Sequence, residues 1–345
     1  MARKIERIPF KQQLSALKSG DPGRLYLLWG QEDYLRESYM TELKRLCLPD
    51  GGDDFSYRRI DGPTVDLRAL AESVSALPFM TERTLTEVRG FDINKCRDAD
   101  ADELEGIVSD LPDWATLVFV MGTDYAVDWR LRAAKAIKKH GLAVEFTEQD
   151  SAALLPWIRK RFAALGKTID SETSDYLVQT SGSLMNELIP EISKLAASAL
   201  GDTITLSDVD KYAHHLPEAR VFEMTDRMAA RDWDGSARLM AELIASGEDP
   251  IKTNSIIAGQ LQRLYAARVA LDEGLGQAYV IKMFDIRFDS IARKLTQSAG
   301  SFTLDQLARA VELCAETDYA MKSAAEDDAA LLSLLLCRLA AEAFA

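Results

Sequence analysis

The chain runs to 345 residues, of which 47% are hydrophobic and 28% charged, the make-up of a soluble globular protein with room for two or three domains. Its formal charge of −14 excludes a surface that grips phosphate backbones over its whole extent; local basic patches such as Lys135, Lys138 and Lys139, or Arg159, Lys160 and Arg161, read plainly as solvated helix faces. No stretch of about 18 uncharged apolar residues occurs, and Met1-Ala2-Arg3-Lys4 leads into no apolar run, so a cytoplasmic protein without membrane span or signal peptide is expected.

Leu25 to Trp29 is a continuous apolar run closed by Gly30, the pattern of a strand buried on both faces. Asp33 to Leu46 reads as a helix, Phe55 to Ile60 as a weaker strand, and Asp66 to Ala76 as a helix with Leu67, Leu70 and Val74 at helical spacing. Thr84 to Arg89 is a third strand, Asp102 to Leu111 a helix, Thr116 to Met121 a strongly apolar strand and Leu142 to Phe146 a fifth. Such alternation implies a parallel sheet with right-handed crossovers. After about residue 150 the strands are expected to stop. Ser151 to Leu165 is a helix closed by Gly166, Asp170 caps another running through Val178, and Leu184 to Leu200 and Ser207 to Tyr212 follow. A polar break at His214 to Glu218, with Pro217, marks a boundary before an all-helical remainder. There Ile257, Leu261, Leu264, Ala267 and Leu271 form one stripe, and the run 331–336 is apolar nearly all round, so burial by several neighbours is expected.

Between the second helix and the third strand, where polar turn chemistry is the rule, stands Leu77-Pro78-Phe79-Met80. Pro78 fixes its own backbone and pushes Leu77 to extended geometry. Such a knob either folds inward as core or stands out to enter a pocket on another protein.

Catalytic chemistry is scarce. A phosphate loop after Leu25–Trp29 needs a Gly-rich turn, a Lys and a Ser or Thr, yet the strand runs into Gly30-Gln31-Glu32-Asp33, whose carboxylates repel a triphosphate. Gly166-Lys167-Thr168 spells the end of that motif but closes a helix instead of opening one, and Arg161 stands where its first Gly belongs. Neither Gly90-Phe91-Asp92 nor Gly122-Thr123-Asp124 supplies an acidic pair for magnesium. Cys47, Cys96, Cys314 and Cys337 form no C-x-x-C pair, and His140, His214 and His215 bring no third ligand, so neither metal nor cofactor is expected.

In order and spacing the chain resembles the delta subunit family of the bacterial DNA polymerase III clamp loader over essentially its full length. The motifs that carry the resemblance are Leu25 through Leu35, the segment Leu77 to Arg83, Gly182 through Glu191-Ile192-Ser193-Lys194-Leu195, Ile204 to Val209, Val221 to Asp226, and Asp318 with Lys322. Leu184 departs from an acidic preference of the family, and Thr84-Leu85-Thr86-Glu87-Val88 is more polar than its usual strand. The resemblance implies an α/β plus all-α fold: an AAA+-like body over 1–146 with a degenerate loop at Gly30, Gln31, Glu32 and Asp33, a helical lid over 147–212 and a helical collar for oligomerisation over 213–345. It also implies a subunit without catalysis of its own, in a polymerase holoenzyme whose nucleotidyl transfer resides elsewhere. Its partners are the beta sliding clamp, met through Leu77, Pro78, Phe79 and Met80, the gamma/tau and delta-prime subunits, and primed DNA through the assembled loader. The rival readings are an active AAA+ ATPase and a helical scaffold unrelated to replication.

Overall fold

Five strands, β1 (Leu25–Trp29), β2 (Tyr57–Asp61), β3 (Thr84–Arg89), β4 (Ala115–Val120) and β5 (Leu142–Glu145), form a parallel sheet in the order β2-β3-β4-β1-β5. This computed structural model describes residues 14–344 apart from 16, 19–21, 50–55, 64, 80, 287 and 324–326, so Phe55 and Met80 of the expected elements lie outside the described residues. The chain divides into two compact units, one comprising the residues up to Glu148 with Leu184–Asn186, the other Gln149–Ser183 with Glu187 onward.

In the first unit the helices α1 (Asp33–Cys47), α2 (Leu67–Ser75), α3 (Asp98–Ser109) and α4 (Arg132–His140) supply the crossovers. β1 and β4 are buried at every position, as their uninterrupted apolar sequences require. Leu27, Leu117 and Phe119 form a core with Leu70, Val88, Leu104 and Ile137. β3 is buried too, despite Thr84, Thr86 and Glu87. Most of its polar groups have partners: the Thr86 and Ser73 hydroxyls share a hydrogen bond of 3.2 Å, and Tyr57 donates to Glu87 at 2.6 Å. Arg89 pairs with Glu87 and makes a two-pronged contact to Glu37 at 2.6 and 2.8 Å. A strand too polar by composition is thus held by satisfied hydrogen bonds. Because the sheet is parallel, every strand ends at one edge and begins at the other. The turn after β1 lies at the carboxyl edge; the segment that enters β3 lies at the amino edge.

The second unit corrects one expectation: strands do not stop near residue 150. Between α5 (Ser151–Ala164) and α6 (Ser171–Ser181) lies β6 (Thr168–Ile169), which pairs in parallel with β7 (Thr203–Ile204). Two residues per strand are too few to show a period in sequence. The helix α7 (Met185–Ser198) precedes β7, and α8 (Leu206–Tyr212) follows it with a capping box between Thr205 and Asp208. Beyond it run α9 (Pro217–Ala229), α10 (Trp233–Ala245), α11 (Pro250–Asp272), α12 (Gly276–Phe284), α13 (Asp289–Gly300), α14 (Leu304–Ser323) and α15 (Asp328–Arg338). Ile257, Leu261, Leu264 and Ala267 are buried in the helical core with Leu313, Leu332 and Leu335. The last helix is less enclosed than its composition suggests, since Leu334 is exposed on its outer side.

Candidate functional site

Two features of the first unit bear on function, one at each edge of the sheet. At the amino edge α2 is started by Asp66, whose carboxylate accepts the Arg68 N–H at 3.0 Å. It stops at Ala76, which turns to φ −60°, ψ 134°, one residue ahead of Leu77, whose place before Pro78 disfavours the helical region. The chain then carries Leu77 and Phe79 into solvent, 71% and 75% exposed, around a half-buried Pro78. Met80 belongs to the same run but lies outside the described residues.

Both stems of this turn are anchored. Trp114, just ahead of β4, accepts the Thr84 N–H on its carbonyl at 2.9 Å and donates its indole N–H to the Ala76 carbonyl at 3.2 Å. On the returning stem the Thr81 hydroxyl donates to the Arg83 carbonyl at 2.7 Å and stands 2.8 Å from the Ser56 hydroxyl. Ser56 in turn accepts the Leu85 N–H on its own carbonyl at 2.8 Å. Trp114 and Ser56 carry no sequence signal of this role, because their contacts span 38 and 25 positions and belong to no motif.

At the carboxyl edge the loop after β1 is closed upon itself. Gly30 adopts φ +119°, and a β-carbon there would fall 2.3 Å from the Phe146 carbonyl oxygen. The Glu32 N–H donates to that same carbonyl at 3.1 Å, and the Asp33 N–H to Gln31 at 3.0 Å. These amides point to carbonyls of the chain and not outward to an anion, the reverse of a phosphate cradle. Buried Arg36 donates to the Gly30 carbonyl at 2.7 Å and pairs with Asp33. The Glu32 carboxylate is buried and accepts the Met185 N–H at 3.3 and 3.4 Å within the same unit. Of the four loop residues Gln31 alone is exposed, with Asp33 half-buried.

The tripeptide Gly166-Lys167-Thr168 serves structure. Lys167 Nζ donates to the carbonyls of Ala199 and Gly201 at 3.1 and 2.7 Å, and the Thr168 and Thr203 hydroxyls share a hydrogen bond of 2.9 Å. The His214 backbone N–H donates to Glu191 at 2.8 Å, and partial burial lowers the pKa of His215. Among the described residues no three His, Cys, Asp or Glu side chains come together as a metal site would need.

Two family descriptions match the chain: DNA polymerase III, delta subunit, over residues 26–147, and the C-terminal domain of that subunit over 218–339. A DNA polymerase III subunit delta of Bacillus subtilis is 26% identical over 332 residues, covering 94% of this chain and 95% of its own. A probable DNA polymerase III subunit delta of Aquifex aeolicus is 22% identical over 279 residues, covering 78% of each. Among solved structures, the Bacillus subtilis DNA clamp loader delta protein (YqeN) superposes with a TM-score of 0.57 at 23% identity, over 96% of this chain and 99% of that one. At that identity the likeness speaks for the fold.

Proposed function

The chain belongs to the DNA polymerase III delta subunit family, and from that premise we propose that it is the subunit of a clamp loader that grips the beta sliding clamp and favours its opening for loading on primed DNA. The observation that carries this reading is the pair Leu77 and Phe79, held out at 71% and 75% exposure on a proline-stiffened turn with anchored stems. Burial of each such side chain in a partner's pocket contributes about 1.5–3 kcal/mol before association costs. Met80, next in sequence, is assigned to the same contact. A fraction of that free energy favours an opened ring if the open form fits this edge of the sheet better than the closed one.

The closed loop at Gly30–Asp33 supports a subunit that binds no nucleotide itself, with ATP acting in neighbouring gamma/tau subunits. On this reading residues 1–146 are an AAA+-like body, 147–212 a lid and 213–345 a collar that joins the gamma/tau and delta-prime subunits in the cytoplasm. No helix of the described chain is long and apolar enough to cross a membrane. The test is a binding measurement between the full chain and its cognate clamp. Wild type binds; the double variant Phe79→Ala, Met80→Ala does not, yet still assembles into the loader. Equal clamp affinity of the two overturns the assignment, and a nucleotide titration of the isolated chain decides against it if ATP binds tightly.

A further inference from the structure

Resting on the clamp-binding reading, we propose that Trp114 is the positioning residue of the apolar turn: one side chain and one carbonyl fasten both of its stems, so the tip is presented already ordered. The geometry is specific. The indole N–H reaches the Ala76 carbonyl at the end of α2, and the Trp114 carbonyl takes the first amide of β3. Ala76 has left the helix, and its carbonyl takes a partner outside the regular intrahelical ladder. The indole supplies that partner from a residue 38 positions away. Thr81 and Ser56 brace the returning stem independently.

An apolar tip on a free loop loses conformational entropy when it docks; a tip held in its bound form loses less and binds more tightly with no added contact. Trp114 therefore acts on affinity without touching the clamp. A half-buried ring also packs, so the substitution that separates the two roles is Trp114→Phe, which keeps an aromatic ring and removes the donor.

The experiment uses the full chain and its purified cognate clamp. W114F is expected to weaken binding about three- to tenfold, the range of one neutral hydrogen bond. Amide exchange should rise within 76–83 and stay unchanged in β1. In a Leu77→Ala background the W114F effect should shrink, because the brace works through the tip; a merely structural loss would persist in full. Thr81→Val, which removes the opposite brace, should act in the same direction and keeps the test open if W114F folds poorly. Unchanged affinity, unchanged exchange in 76–83, or full additivity with L77A overturns the proposal. If wild type itself fails to bind the clamp, the functional reading falls and this role with it; the exchange arm, which needs no clamp, then shows whether the brace exists at all.

Discussion

Gly30 and Phe146 meet so closely that the loop after β1 has no space for a side chain at its first position: a β-carbon on Gly30 would come within 2.3 Å of the Phe146 carbonyl oxygen and 2.7 Å of its nitrogen. The glycine is also at φ +119°, where other residues are strained. A glycine at this place would ordinarily suggest a phosphate loop. Here it lets the chain close against the strand beside it, and the Glu32 amide completes the closure. Gly30→Ala is therefore expected to destabilise the fold by about 1–3 kcal/mol, through strain and displacement of β5. Urea denaturation at neutral pH measures it; a change below about 0.5 kcal/mol contradicts the close packing.

That closure shows what the sequence made legible and what it hid. β1 and β4 were readable because a strand buried on both faces has no polar alternation to obscure it. The missing Lys and the two acids after Gly30 already spoke against phosphate chemistry. Nothing in the string Gly30-Gln31-Glu32-Asp33 said that the Glu32 amide would be taken by Phe146, or its carboxylate buried beneath Met185, because those partners lie 114 and 153 positions on. Leu77 and Phe79 were visible as apolar residues in the wrong place, but sequence could not choose between core and solvent. The choice follows from Pro78 and from Trp114, which turn the chain outward and hold it there. β6 and β7 escaped notice because two residues make no pattern.

Exposure at the turn separates binding from stability. Leu77→Ala and Phe79→Ala each remove side chains that are mostly in water, so folding stability should change by no more than about 0.5 kcal/mol. Affinity for the clamp should fall by about 1.5–3 kcal/mol per residue, roughly ten- to 150-fold. Thermal melts paired with calorimetric titration check both halves. A large loss of stability together with unchanged binding reverses the assignment.

Thiol reactivity follows burial. Cys47, Cys96 and Cys314 are buried while Cys337 is exposed on α15. Burial pushes the Cys96 thiol up to about 11 and the Cys314 thiol up to about 12, and raises that of Cys47 despite a contact from Thr116. Thiolate is the reacting species, so these three should be inert in the native protein at pH 8. One fast equivalent per chain is expected with an aromatic disulfide reagent, disappearing in Cys337→Ser, and four after unfolding in urea. More than one fast equivalent in the native state would show that a buried thiol is being opened to solvent.

Asp226 on α9 gives the second unit a pH signature. Its half-buried carboxylate accepts the Ser298 hydroxyl from α13; burial raises its pKa, opposed by that hydrogen bond and by Lys294, and Glu223 pushes in the same direction as burial. A carboxyl raised in the folded state favours its neutral form there. Its contribution to stability is therefore full below the unfolded value of about 3.9 and is lost as pH rises through the folded value. Asp226→Asn keeps an acceptor for Ser298 and removes the charge. The variant should be the more stable protein at pH 7, and its advantage should shrink as pH falls, vanishing below about pH 4. Urea midpoints of both proteins across that range measure the difference. A constant offset at every pH would mean that Ser298 and Lys294 cancel the effect of burial, and an advantage that grows on acidification that they outweigh it and hold the Asp226 carboxylate charged.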